Sequence, residues 1–472
     1  MSTPLIWIVF PFGCALLLIP ARKKPILSGI LTALISLLLA ASALAFPRDL
    51  SFLLPEQRLE IASTLNLFGR SLQITGAQLT LVGLLYGITF LWNLGSLLYR
   101  PSLWFNVLSL GISALWVGTL SVDPFLYAAV IIMLIALLSI PLLSPRGVRT
   151  EPGVLRYLVF QTLALPLILL VGWMLAGIGS APSANPLIVR SAMLVLFGFA
   201  LWVGAFPFHS WIPMISETSQ PWVVSFLLAL LQSALSVFLL YFLDQYAWLR
   251  NLPILFVSLR WIGIIMIAFA GLLCAIQTNL GKTYGYLVLF ETGYSLLALG
   301  LMNTGGLNYL AMLFVPRLLS YAVLSLALSG LWQESGGDGL AFSAQEGLFK
   351  KRPLLTGGIL IGMFSLLGLP LLPLFPHKQM LWLLTAQTDP RLLPWILAGS
   401  LGLLVTAARL IRVFIRGSGT AAAPQPVREK GGLVAFMLVL IILMLMMGSF
   451  PQLLLPRFLE ILTPFTHLLP VP

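Results

Sequence analysis

Residues 205–223 read Ala-Phe-Pro-Phe-His-Ser-Trp-Ile-Pro-Met-Ile-Ser-Glu-Thr-Ser-Gln-Pro-Trp-Val, and this stretch decides the fold. It starts inside a long apolar run and meets Pro207, Pro213 and Pro221 in turn. Proline lacks a backbone donor and clashes with the preceding turn, so three of them do not fit one straight helix. Broken backbone at membrane depth survives only when buried in protein or lining a wet cavity. The stretch therefore predicts a helix interrupted inside a membrane-embedded body.

The rest of the chain supports a membrane reading. Of 472 residues, 59% are hydrophobic and only 8% charged, with a mean hydropathy of +1.03. A soluble protein carries roughly 25% charged residues. The formal charge of +12 sits in short clusters between apolar runs. That distribution matches the positive-inside rule and excludes a nucleic-acid surface. Cys14 and Cys274 lie alone in apolar runs, whereas an iron–sulfur cluster takes about four thiolates. The sequence contains no dinucleotide fingerprint, phosphate loop or metal-ligand cluster. No cofactor is expected, and the energy for any work must come from a partner or an ion gradient. Arg22, Lys23 and Lys24 follow the first apolar run rather than preceding it, which predicts a retained span and not a cleaved leader.

A span takes roughly 20 apolar residues, and on that basis the chain reads as an all-α membrane protein of about fourteen crossings. A polar excursion from Pro47 to Thr75 alternates as a small surface hairpin does. The basic loops at Arg22, Arg100, Arg146, Lys282, Lys350 and Arg416 fall on one face. That face is expected to be cytoplasmic, with both termini outside, as for a multi-pass protein of the cell's inner (plasma) membrane. The tail, 451–472, is expected as a surface helix. A second interruption comes at Pro370 and Pro373. Interrupted helices at corresponding places in two halves point to an inverted-repeat transporter and its ion path. The halves are set at 103–243 and 254–415 within one membrane domain, 1–472.

Three stretches carry a family resemblance. Pro207-Phe208-His209-Ser210-Trp211-Ile212-Pro213 resembles the signature of the antiporter-like membrane subunits of complex I, a family shared with Mrp antiporters and membrane-bound hydrogenases. Leu280-Gly281-Lys282-Thr283-Tyr284-Gly285-Tyr286, running to Glu291-Thr292-Gly293-Tyr294, is similar to its next marked stretch. Leu367-Gly368-Leu369-Pro370-Leu371, continuing to Phe375-Pro376-His377-Lys378, is similar to its second broken helix. The resemblance implies two inverted five-helix bundles, each with one broken helix, and ion-handling residues near the midplane. It implies a membrane-arm subunit that moves protons while partner subunits, including a peripheral redox arm, handle electrons and quinone. An Mrp-type cation/proton antiporter subunit and a non-pumping scaffold are the other readings.

The same resemblance marks what is missing. The family's first-half glutamate and two lysines fall on Ile132, Trp202 and Gln232 here. Charge survives in the second half. Lys378 matches the broken-helix lysine, Glu291 stands where the family has a histidine or lysine, and Arg317 lies near a family histidine. A charge at the bilayer centre costs about 2.5–3.5 kcal/mol on insertion scales, so it persists by pairing or by facing water. The expectation is that Glu291 pairs with Arg317 and that Lys378, beside His377, is left as the titrating site. A static bridge and a snorkelling lysine are the plain alternatives. His209 reads as a cap on broken backbone or a proton carrier, and Gln232 as polar glue or a water-chain contact. Lys282 reads as a surface anchor, and Gly358 and Gly362 as sites of close helix packing.

Overall fold

The computed structural model describes residues 2–46, 51–53, 58–67, 69–99, 101–144, 150–175, 186–416, 429–453, 456 and 459–468. Arg100, Arg146, Arg149, Gln57 and Arg428 lie outside the described residues. The helices run in order as α1 Phe10–Leu17, α2 Pro25–Ala45, α3 Leu79–Tyr99, α4 Phe105–Thr119, α5 Ala128–Leu143, α6 Pro152–Leu175 and α7 Pro186–Val203. Then come α8 Trp211–Thr218, α9 Pro221–Gln245, the short α10 Ala247–Arg250, α11 Pro253–Ile276, α12 Leu280–Gly300 and α13 Gly306–Ser335. The last are the short α14 Leu348–Lys351, α15 Pro353–Leu367, α16 Phe375–Thr388, α17 Leu393–Ile415 and α18 Gly431–Ser449.

Their starts follow the sequence. Pro25, Pro221, Pro253 and Pro353 open helices, where the missing donor has no acceptor to lose. Asn279 caps α12, its side chain accepting from the backbone N–H of Gly281 at 2.8 Å and of Lys282 at 3.2 Å. Ten helical stretches among the described residues are long and apolar enough to cross a bilayer. The chain is a multi-pass membrane protein. Four of the expected crossings fall on helices outside that set: the shorter Leu5–Leu17, Phe105–Thr119 and Pro353–Leu367, and α12, which carries Lys282 and Glu291.

Both interruptions stand where proline placed them. The first follows α7, with Gly204 at φ +65° and a 3₁₀ turn at Phe208–Ser210 before α8. The second follows α15, where Gly368 at φ +85° and Leu371 at φ 69° turn the chain before α16. Pro207, Pro370 and Pro373 lie in these breaks. Pro213 does not break anything: it occupies the first turn of α8, where the N–H groups lack helical acceptors in any case. Pro221 likewise opens α9 instead of breaking it.

Three features position the rest. First, α2, α3 and α4 share a buried ladder of neutral polar groups. Asn93 Oδ1 accepts from Thr32 at 3.2 Å and Ser109 at 3.0 Å, and Ser96 donates to Asn106 at 2.7 Å. Asn106 in turn donates to Ser28 at 3.2 Å, and Thr89 meets Ser113 at 2.5 Å. Secondly, glycines let helix backbones touch. A Cβ on Gly271 would lie 2.0 Å from the Gly399 carbonyl oxygen, and one on Gly402 2.3 Å from that of Gly271, so α11 and α17 meet without side chains between them. Gly362 serves the same end against Leu324 of α13. Thirdly, α8, just past the first break, packs on α12, with Gly285 against Pro213.

At one end, β3 Thr64–Leu67 and β4 Arg70–Gln73 form the expected hairpin, with β5 Val122–Asp123 added beside β4; β1 Ser51–Leu53 pairs with β2 Arg58–Glu60. The tail departs from expectation. Its Ile461, Leu462 and Phe465 are buried, and Phe465 sits edge-on to Tyr241 at 4.9 Å. These apolar residues bury against α9 and its neighbours, so the tail turns inward and is no surface helix at those positions.

Candidate functional site

Among the described residues, the buried side chains bearing a charge or an imidazole are Glu291, Arg317, His377 and Lys378. All four lie on α12, α13 and α16. Three of them meet. Glu291, midway along α12, offers Oε1 to Lys378 Nζ at 2.5 Å and Oε2 to Arg317 Nε at 3.2 Å. Lys378 stands in the first turn of α16, immediately past the second break. The Lys378 ammonium also donates to the Leu366 carbonyl. The last carbonyls of a helix have no intrahelical donor, so ending α15 at Leu367 is what frees Leu366 to accept. The rings of Phe290 and Tyr294 lie 4.7 and 4.4 Å from the ammonium, a further stabilisation for a cation out of water.

The expectation that Glu291 pairs with Arg317 is met. That Lys378 is left over is corrected: the same carboxylate serves both cations, one on each oxygen. Two cations therefore share one carboxylate. Arg317 uses Nε alone on Glu291, and its Nη1 and Nη2 are buried without a hydrogen-bond partner among the described residues.

A neutral chain leads away from the triad. Tyr321, one turn after Arg317 on α13, donates to Gln232 Oε1 at 2.8 Å. Gln232 Nε2 donates to Thr292 Oγ1 at 2.8 Å, and Thr292 follows Glu291 in α12. Beside Gln232, Ser236, Thr292 and Ser295 lies a partly open cavity of about 30 Å³, otherwise lined by apolar side chains of α7, α9, α11 and α12. A water needs about 10–15 Å³ of such space and two to four polar partners, so the cavity has room for about two.

The remaining sequence candidates lie apart. His377 is buried next to Lys378 in the chain. His209 is at the other break, half-buried, its ring stacked on Phe206 at 5.4 Å and its Nδ1 without a hydrogen-bond partner among the described residues. Lys282 is more than an anchor: it pairs with Glu217 of α8 at 3.0 Å. In the first half, Trp202 and Gln161 exchange bonds through their backbones, indole to carbonyl at 3.3 Å and amide to carbonyl at 3.2 Å. Phe199 and Phe238 pack around Trp202 at 5.5 and 5.8 Å, and Ile132 is buried. Apolar surface fills two of the three places where the family resemblance called for charge, Ile132 and Trp202; the third holds the hydrogen-bonded amide of Gln232. Sequence reasoning missed Tyr321, Thr292 and the Leu366 carbonyl. Tyr321 was within reach, being four residues from Arg317 on a helix.

A family profile described as the transmembrane part of NADH:quinone oxidoreductase and Mrp antiporters matches residues 157–406, more than half of the chain. The chain belongs to the NADH:quinone oxidoreductase/Mrp antiporter family. The family match takes in both breaks and all three members of the triad. NADH-quinone oxidoreductase subunit N of Ectopseudomonas mendocina is 28% identical over 304 residues, covering 60% of this chain and 58% of the relative. That of Psychrobacter arcticus is 28% identical over 324 residues, covering 64% and 65%. The chain thus spans about three fifths of the length of these curated relatives. Among solved structures, a chain of the Mrp complex from Dietzia sp. superposes with a TM-score of 0.80 at 16% identity, over 99% of both chains. A chain of respiratory complex I from Thermus thermophilus gives 0.72 at 21% identity, over 96% of this chain and 99% of that one. A chain of the membrane-bound sulfane sulfur reductase, an archaeal respiratory membrane complex, gives 0.77 at 17%, over 98% and 96%. The family fold, with its two broken helices, is this chain's fold.

Proposed function

We propose that this chain is a membrane-arm subunit of a complex I-type oxidoreductase, moving protons through its second half while partner subunits carry the electrons and the quinone. The observation that carries this reading is Lys378, held on Glu291 at 2.5 Å directly after a broken helix. A lysine changes protonation readily when its surroundings change. Lys378 Nζ releases its proton to water on one side of the break and takes one up from the other. Glu291, the aromatic rings and the Leu366 carbonyl stabilise the charged form between these steps. Gln232 and Thr292 line the water-sized cavity, and Tyr321 links Gln232 back toward Arg317 on α13. The first half, filled around Trp202, serves as a wall and not a second route.

In this reading the chain crosses the membrane about fourteen times, in halves at 103–243 and 254–415, with both termini on the outer face of the cell's inner membrane. Other membrane-arm subunits flank it. The test is Lys378→Met in the assembled complex, which keeps length and apolar character and deletes the charge. Proton uptake by sealed vesicles should stop, with expression and assembly unchanged. Undiminished uptake in an assembled variant would reject the reading and favour a scaffold.

A further inference from the structure

The charges around Lys378 do not balance. From α12 it meets Glu291 and the Phe290 and Tyr294 rings, and Arg317 of α13 holds the other oxygen of Glu291, with Tyr321 one turn on along α13; α15 offers the Leu366 carbonyl, and His377 is its neighbour on α16. One carboxylate answers two cations. Arginine keeps its proton in proteins, so the cluster is neutral only while Lys378 is deprotonated and carries a net positive charge otherwise. Arg317 is also bonded in an unusual way for a structural pair. Arginine bridges that serve packing tend to use two parallel N–H groups on one carboxylate. Here one N–H of the guanidinium reaches Glu291, and both Nη atoms are buried without a partner among the described residues.

We propose that Arg317 is a positioning residue for proton exchange at Lys378: its fixed charge holds one oxygen of Glu291, so that the cluster balances only when Lys378 has given up its proton. Without Arg317, Glu291 and Lys378 form a balanced pair, and nothing on α13 presses the proton to leave. With it, the pair is under a standing electrostatic load. The unused Nη groups let Glu291 close further onto the guanidinium once Lys378 is neutral. This inference rests on the proton-translocation reading above and deepens it.

The experiment measures proton uptake across a range of pH in sealed vesicles holding the assembled complex, for the wild type, Arg317→Gln, Arg317→Lys and Lys378→Met. Removing a unit charge from beside a titrating group moves its midpoint by about one pH unit or more. Arg317→Gln should therefore shift the pH–rate midpoint upward by about that much, with uptake near neutrality lowered roughly tenfold. Arg317→Lys keeps a cation and should keep the wild-type midpoint. An assembled Arg317→Gln complex with an unmoved midpoint overturns the proposal, as does a displaced midpoint in Arg317→Lys. If Arg317→Gln fails to assemble, Arg317→Lys decides alone; failure of both assigns Arg317 a packing role and also overturns it. Lys378→Met separates the levels: if it still takes up protons, the translocation reading itself falls.

Discussion

Replacing Glu291 by glutamine keeps the shape of the side chain and removes the one negative charge in the buried cluster. Arg317 and Lys378, 1% and 2% exposed at their side chains, are then left with no counter-charge. Breaking one buried ion pair by removing a partner costs about 3–5 kcal/mol. Glutamine offers one neutral carbonyl oxygen in place of two charged ones, and its amide nitrogen, a donor, then takes the position of the oxygen that met one of the cations. Two pairs are lost together, so the cost belongs at the upper end of that range. Against a typical stability of roughly 5–15 kcal/mol, a loss near 5 kcal/mol changes the folded-to-unfolded ratio by more than three orders of magnitude, at about 1.4 kcal/mol per factor of ten. The measurement is thermal unfolding of the detergent-purified complex, followed by size-exclusion recovery of this chain. Glu291→Gln should unfold well below the wild type. The triple variant Glu291→Gln, Arg317→Met, Lys378→Met should regain much of the loss, since replacing a whole buried charge cluster with apolar groups is often neutral or stabilising. If Glu291→Gln unfolds together with the wild type, the cations are satisfied by something other than Glu291, and the triad is not the electrostatic unit described above.

Further outcomes follow from the packing and the topology. Gly402→Ala would place a Cβ 2.3 Å from the Gly271 oxygen, forcing α17 off α11 at a cost of about 1–3 kcal/mol. Gly357→Ala, which meets nothing within 4 Å, is the matched control and should be unchanged or slightly stabilised in the same unfolding assay. Gln232→Leu leaves the Tyr321 hydroxyl without its acceptor, which should cost about 1–3 kcal/mol and slow proton uptake without abolishing assembly. On topology, single cysteines at Lys351 and at Gln57 should react oppositely with an impermeant reagent on intact cells, Gln57 labelling and Lys351 not. Equal labelling would overturn the proposed orientation.

The breaks were legible because proline acts on its own backbone: Pro207 and Pro370 interrupt apolar runs whatever the rest of the chain does. The Glu291–Arg317 contact was legible for a similar reason, since a charge at membrane depth demands a partner and few were on offer. The claim of Lys378 on the same carboxylate was not. It comes from 87 residues away and depends on how α16 leans back over α12, which no local pattern encodes. The tail misled because Ile461, Leu462 and Phe465 suit a lipid interface and a protein groove equally well. The α2–α4 ladder was present in the sequence as Ser28, Thr32 and Ser36, Thr89, Asn93 and Ser96, and Asn106, Ser109 and Ser113. Each set repeats at three or four residues, the spacing of one helix face, but single small polar residues in apolar runs draw little notice.

That ladder has a consequence for how the molecule sits in an electric field. The α2–α4 groups that bond across it, from Asn106 near Pro25 to Thr89 and Ser113, are neutral hydroxyls and amides. A neutral group gains nothing from crossing a potential, whereas each elementary charge moved through the full membrane gains or loses about 2.3 kcal/mol per 100 mV. The N-terminal flank is therefore held in register by bonds that voltage does not load. The triad of Glu291, Arg317 and Lys378 is the opposite: any displacement of its surplus charge along the membrane normal exchanges work with the potential. Within the bilayer-depth bonds of the ladder there is thus no charge for the potential to act on, whereas the triad holds three.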